Sequence, residues 1–227
     1  IWYRAKISQK EDESLMNLIK VDFHTHTHFS GDSNTPIAEL IKSARACNLD
    51  RVVVTDHNVL AGALEAWRAA PDLIIPGEEI QTTEGELLAA YVTVEVPRGL
   101  EPLEALKRLR DQGAFISISH PFDPHRSGWS RKTLELITPQ VDAIETGNAR
   151  VLKAEHNRLA QAYAQEFNTA GTAGSDAHHP SEIGRMYSRL PYFHDAESLR
   201  VAIRSAEICG KPSSAWVHLH STWAKVE

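Results

Sequence analysis

The sequence predicts one α/β domain whose strands close as a barrel, on three observations. Strand-like and helix-like segments alternate from Leu18 onward. Several strand segments are continuous apolar runs, Val52-Val53-Val54 above all, as parallel strands covered on both faces are. Six of the segments run directly into histidines or carboxylates. An open doubly wound sheet gathers its ligands at one or two crevices, whereas six contributing strand ends need a ring. Roughly seven strands precede the last helix, one fewer than in the common eightfold barrel.

Residues 1–17 are mostly polar and read as an N-terminal arm; 18–227 read as a single domain, without repeat, low-complexity tract or linker. Leu18–Phe23 is the first strand. Thr35 as cap and Pro36 at the first position open a helix with Ile37, Leu40, Ile41 and Ala44 on one face. Arg51–Thr55 is the second strand, Ala61–Ala69 a helix, Leu73–Ile75 the third strand and Glu86–Val96 a strand or hairpin arm. Glu101–Gln112 is helical, with Leu103, Leu106 and Leu109 as its buried stripe and Gly113 at its end. Then come a strand at Phe115–Ser119, a short helix at Arg131–Ile137 and a strand at Val141–Glu145. A longer helix at Leu152–Phe167, a brief strand at Thr169–Ala173 and a last helix at Ala196–Ile208 complete the series.

With 42% apolar and 24% charged residues, the 227-residue chain can bury a full core. It has no apolar run of membrane-spanning length and no secretory leader pattern. Cys47 and Cys209 have no metal-ligand neighbours and read as thiols of a reducing compartment, the cytoplasm. A formal net charge of −6 argues against a general nucleic-acid surface.

The chemistry is concentrated at the strand ends. His24 and His26 lie two apart, so on a strand both imidazoles face one side and can reach one ion. His28 keeps that parity but falls in the loop, either facing substrate or exposed. Asp32 follows in a Gly/Ser/Asn-rich stretch. His57 closes the second strand as a candidate ligand, with Asp56 as its orienting partner or as a helix cap. Glu78 and Glu79 follow the third strand, where adjacent carboxylates repel unless a cation is present; Glu79 is the candidate for a bridge between two ions. His120 sits between Ser119 and Pro121, and Pro121 holds it in extended backbone. Glu145 ends a further strand. Asp176 and His178, two apart in Gly174-Ser175-Asp176-Ala177-His178, can serve different ions of one cluster. Arg126 and Arg150 are candidate phosphate ligands, Arg150 through its planar fork of donors. His156, His194, His218 and His220 read as structural or exposed.

Taken in order, His24-Thr25-His26 with Asp32, Thr55-Asp56-His57, Gly77-Glu78-Glu79, Ser119-His120-Pro121, Ala143-Ile144-Glu145 and Gly174-Ser175-Asp176-Ala177-His178 resemble the polymerase-and-histidinol-phosphatase (PHP) family of metal-dependent phosphoesterases. The resemblance covers residues 20–185 and implies a distorted seven-stranded (β/α) barrel. It implies a di- or trinuclear centre of Zn, Mn or Fe at the barrel mouth. By analogy His24, His26, Glu79 and Asp176 hold one ion; Glu79, His120 and Glu145 a second; Asp32, His57 and His178 a third. The expected activity is hydrolysis of a small phosphomonoester by a metal-activated hydroxide, with His178, Asp176 and Glu79 as catalytic groups and Arg150, Arg126 and His28 toward substrate. A phosphodiesterase or exonuclease acting on short nucleic acid ends, and a non-catalytic metal-binding module, are the alternatives.

Overall fold

The computed structural model describes residues 18–126 and 128–213; the arm expected over 1–17, together with His218 and His220, lies outside them. The order is β1 (Leu18–Thr25), α1 (Ile37–Ala46), β2 (Arg51–Val54), α2 (Ala61–Ala69), β3 (Ile74–Gln81), β4 (Glu86–Ala90), α3 (Pro102–Asp111) and β5 (Phe115–Ile118). It continues with α4 (Arg131–Ile137), β6 (Ala143–Asn148), α5 (Ala154–Glu166), β7 (Ala170–Gly174), β8 (Met186–Pro191), α6 (Ala196–Ala202) and β9 (Glu207–Gly210).

Among the described residues the strands form one nine-stranded sheet in the order β7-β6-β5-β4-β3-β2-β1-β8-β9. The sheet curls until it nearly closes. Where β7 ends, the Asp176 N–H donates to the His24 carbonyl (2.7 Å) and the His26 N–H to the Ala177 carbonyl (2.9 Å). Gly174 permits this approach, since a Cβ there would overlap the Cβ of His24. Nine strands replace the expected seven because β8 and β9 fill the other half of that seam. β8 runs antiparallel to the first half of β1, from Leu18 opposite Pro191 to Val21 opposite Ser188. β9 pairs with β8. The last helix expected over Ala196–Ile208 accordingly stops at Ala202, and Ile208 pairs with Ser188 as strand.

Alternation along each strand sorts the core into two parts. Val52 and Val54 of β2 join a cluster with Leu40 of α1 and Ala63 and Ala66 of α2. Val53 joins Phe23, Ile75 and Phe115 in a second cluster, which also contains Phe193, Leu199 and Ile203 around α6. The lower part of the barrel is thereby apolar and filled, at roughly 1.5–3 kcal/mol for each large side chain buried. In α3 the buried stripe is Pro102, Ala105, Leu106 and Leu109, which keeps helical spacing. Leu103 lies one residue off that stripe and is 43% exposed. α1 begins at Ile37 with Pro36 in the cap position, one residue later than expected.

Asp22, fully buried in β1, fastens the seam. Its carboxylate accepts from the backbone N–H groups of Ser175 (2.8 Å), Gly184 (3.0 Å) and His24 (3.3 Å). Asp22→Ala leaves buried donors without an acceptor, at roughly 1–3 kcal/mol for each group. A urea unfolding titration is expected to show a midpoint far below wild type; an unchanged midpoint removes Asp22 from this role.

Candidate metal centre

The upper half of the barrel is polar because the strand ends turn acids and imidazoles inward. His24 on β1 and His26 just beyond it are both fully buried. Their Nε2 atoms lie 3.0 Å apart. Glu79 Oε2 stands 3.1 Å from His24 Nε2 and 3.4 Å from His26 Nε2. Asp176 Oδ1 stands 3.5 Å and 3.3 Å from the same two nitrogens. Four ligand atoms at bonds of about 2.1 Å on a tetrahedral ion are separated by about 3.4 Å. The nitrogen–nitrogen and nitrogen–oxygen spacings, 3.0–3.5 Å, lie near that edge. Asp176 itself has φ 52, a left-handed conformation unusual for a non-glycine residue and found preferentially at functional sites.

The second nitrogen of each ring is fixed by an acceptor, which decides the tautomer. His24 Nδ1 faces Glu145 Oε1 at 2.9 Å, and a carboxylate there must accept. Ser30 Oγ donates to Asp56 Oδ1 (2.9 Å) and therefore accepts from His26 Nδ1 (3.1 Å). His178 Nδ1 donates to the Asp176 carbonyl at 2.8 Å. In all three rings Nε2 is left as the ligand atom. Asp56, which also accepts from the Thr27 N–H (2.6 Å) and hydroxyl (2.7 Å), shapes the loop after β1 and acts on His26 through Ser30. α2 comes close enough to guard this arrangement, for a Cβ at Gly62 would overlap Asp56 Oδ2.

Around this core lie the other expected residues. His57 Nδ1 is 3.1 Å from Glu79 Oε2, and its Nε2 is 3.6 Å from Asp32 Oδ1. His178 Nε2 is 3.3 Å from the same Asp32 oxygen. His26, His57 and His178 can converge on one point, as can His24, His26 and Asp176. His120 Nε2 lies 3.1 Å from Glu79 Oε1, which also accepts from Ser119 Oγ at 2.8 Å. Glu145 does not point an unoccupied oxygen at His120. Besides its contact with His24, its Oε2 accepts from the His120 N–H (2.8 Å) and Asn148 Nδ2 (3.1 Å).

Sequence reasoning missed Glu86. It opens β4, and its buried Oε2 lies 3.5 Å from His120 Nε2 without a hydrogen-bond partner. It also groups with His57 and Glu79. The available signal was Thr82-Thr83-Glu84-Gly85-Glu86, a turn that returns the chain antiparallel to β3 and sets Glu86 opposite Gln81, two residues beyond Glu79.

The residues expected at substrate diverge. Arg126 reaches the centre, donating from Nη2 to Asp176 Oδ2 at 2.7 Å. Arg150 is 5% exposed and its Nη1 lies 3.2 Å from Glu182 Oε2, so its fork is spent on a structural pair. That same Glu182 oxygen accepts the N–H groups of His178 (3.0 Å) and His179 (2.9 Å). Arg150 thus steadies the His178 loop from behind. His28 is exposed, its ring against Phe29. Glu78 does not confront Glu79: both lie within β3, on opposite faces, and Glu78 Oε2 accepts from the Val96 N–H at 3.0 Å. Burial pushes the Glu78 carboxyl up to about 8.

Burial and charge set the protonation of the cluster. Burial alone would depress His57, but the Glu79 and Asp32 carboxylates outweigh it and hold the ring up at about 10. His24 is raised in the same way, against burial, by Glu79, Asp176 and Glu145. His26 goes the other way, held well below the ordinary imidazole range by burial and by neighbouring His178 and His57. Glu79 and Asp176 stay ionised despite burial, Glu79 because of His24 and His57, Asp176 because of Arg126 and His24. A buried set of His, Glu and Asp with these spacings can bind divalent metal.

Comparison with known proteins agrees. Residues 22–112 match the PHP domain model and residues 154–208 the PHP-associated model. An uncharacterised protein of Methanocaldococcus jannaschii is 36% identical over 176 residues, 76% of this chain and 70% of that protein. A probable phosphatase of Vibrio campbellii is 24% identical over 202 residues, 74% of this chain and 81% of its own. Among solved structures PsfC from Pseudomonas syringae superposes with a TM-score of 0.68 at 17% identity, covering 92% of this chain and 97% of that one. The shared fold, the ordered strand-end ligands and the M. jannaschii relative lead to one conclusion: the chain belongs to the PHP family of metal-dependent phosphoesterases.

Proposed function

We propose that this protein hydrolyses a small phosphomonoester at a centre of two or three divalent ions, Zn, Mn or Fe. The carrying observation is the buried cluster of His24, His26, Glu79 and Asp176, in which the two Nε2 atoms lie 3.0 Å apart and an oxygen of each carboxylate lies 3.1–3.5 Å from both, with Arg126 beside it. Mixed imidazole and carboxylate donors suit those metals. His120, Glu79 Oε1 and Glu86 are proposed to hold a second ion, with Glu145 orienting His24 in place of ligating. Asp32, His57 and His178 are proposed to hold a third.

When bound, close-set divalent ions polarise a phosphate and lower the pKa of a coordinated water. The chain supplies the rest. Arg126 exchanges Asp176 for a phosphate oxygen, to which a guanidinium offers paired donors. His178, on the rim beside Asp32, is proposed to protonate the leaving alkoxide. Support for a monoester over a nucleic acid end is the scarcity of cations at the mouth: among Arg126 and Arg150, one faces the centre and the other faces Glu182. No helix among the described residues is long and apolar enough to cross a membrane. The unpaired thiols of Cys47 and Cys209 support a cytoplasmic setting.

Phosphate release by metal-stripped protein restored with Mn, Zn or Fe tests the reading, across phosphomonoesters, nucleotides and a short oligonucleotide. Metal-dependent release from small monoesters is expected. Cleavage of the oligonucleotide alone points to the nuclease alternative, and silence from protein shown to hold its ions points to a binding module. Asp176→Asn is expected to lower turnover by more than about a hundredfold while circular dichroism stays that of the wild type.

Metal content separates the two glutamates. Glu86→Gln is expected to lose one equivalent of metal by elemental analysis, whereas Glu145→Gln keeps the count and binds more weakly, by about 10–100-fold. The reverse result returns Glu145 to the ligand set. Because His24 and His57 are held protonated by their carboxylate neighbours, metal entry must displace protons from them. Apparent affinity therefore rises with pH between about 6 and 9, and calorimetry in two buffers of different ionisation enthalpy is expected to report proton release. Affinity independent of pH contradicts this.

A further inference from the structure

At the end of the barrel opposite the metal centre lies a cavity of about 470 Å³, within the roughly 300–1,000 Å³ of small-molecule sites. Arg51 at the start of β2, Ile74 and Ile75 at the start of β3 and Tyr91 just after β4 line it, with Trp67 of α2 and His194. β4 runs antiparallel to β3, so Tyr91 stands level with the entrance of β3 and not with Glu79 near its exit.

Three features distinguish this cavity from an incidental gap. The chain has a net charge of −6, yet none of the lining residues is acidic and Arg51 is cationic, while His194 faces the Asp195 carboxylate at 3.4 Å. Trp67 is left 43% exposed at the rim. Tyr91 has φ 63, a conformation that L side chains rarely adopt and that recurs at ligand clamps. Burial pushes its phenol up to about 12, so the hydroxyl is a neutral donor at physiological pH. An apolar surface of Leu64, Ile74 and Val92, two aromatic rings and a guanidinium form a complementary set for one kind of molecule.

We propose that this cavity is a second binding site, for a small planar aromatic compound carrying one anionic group. The ring lies against Trp67 and Tyr91, and the anion pairs with Arg51, whose Nη1 donates in the present structure to the Asp72 carbonyl. The volume admits a ligand of this size and not a helix or a folded partner. The proposal stands independently of the reaction at the metal centre.

The probe is anilinonaphthalene sulfonate, whose fused rings and single sulfonate match the site, against its uncharged counterpart N-phenylnaphthylamine. Fluorescence titration of the wild-type protein is expected to saturate at one sulfonate probe per chain, with the neutral probe at least about tenfold weaker. Trp67→Ala and Arg51→Ala are each expected to weaken the sulfonate probe by about tenfold or more. Leu64→Trp, which fills the cavity and removes no charge, is expected to abolish binding and covers the case in which Arg51→Ala fails to fold. Asp176→Asn is expected to leave it unchanged. Equal affinity for the two probes, undiminished binding in folded Trp67→Ala and Leu64→Trp, or loss of binding in Asp176→Asn overturns the proposal.

Discussion

Packing ionisable groups out of water at the mouth of the barrel is the constraint on which the rest of this structure depends. Glu79, Asp176, His24 and His26 are each fully buried, and a lone buried charge costs several kcal/mol. The cluster survives because acids and imidazoles alternate in space. Glu79 faces His24, His57 and His120, while Asp176 faces His24, His26 and Arg126. One ring cannot share that solution. His26 stacks within 4.4 Å of His57 and 4.3 Å of His178, ring centre to ring centre, and is driven neutral. His26 therefore lies neutral, in the form that ligates a metal, beside His24 and His57, which their carboxylate neighbours hold protonated.

That balance demands rigid placement, and the sheet supplies it. His24, Glu79 and Glu145 are strand residues: His24 accepts from the Asp176 N–H across the seam, Glu79 pairs with Leu88 and bridges to His57, and Glu145 pairs with Thr172. His26, Asp176 and His178 lie just past strand ends, where the seam between β1 and β7 is closed by two backbone bonds and by Asp22. The same seam forces glycine at position 174. A fold that brings its first and last parallel strands together is therefore also one that brings His24 and Asp176 together. The apolar lower half, plugged by α6, keeps water from entering below.

Much of this was legible in the sequence, and the limits have physical causes. His-x-His at a strand end, the ordered His and carboxylate tripeptides and the runs of valine reported the barrel and its inward groups, because period-two alternation fixes direction. α2 and α4 fall on their expected residues, since each is a short amphipathic run with clear breaks on both sides. β8 was missed although Met186, Ser188 and Leu190 alternate as buried residues, because three buried positions among Tyr187, Arg189 and Pro191 are a weak signal beside the stronger helical run that follows. Glu86 escaped for a different reason. Its relevance comes from antiparallel register across a hairpin, and the turn over 82–86 that sets the register does not by itself say which side chain faces His120.

Arg150 and Arg126 show where residue-type reasoning stops. Both follow a strand that ends in the site, and either guanidinium suits a phosphate equally well. What separates them is the partner each meets first. Glu182, in the turn after His178, is buried and already accepts two backbone N–H groups; a carboxylate held there without a cation would be costly, and Arg150 is the cation within reach. Among the described residues the Arg126 guanidinium donates to Asp176, which His24 and His26 also approach. The guanidinium paired with Asp176 therefore faces the centre, while the one paired with Glu182 keeps the backbone of His178 in place.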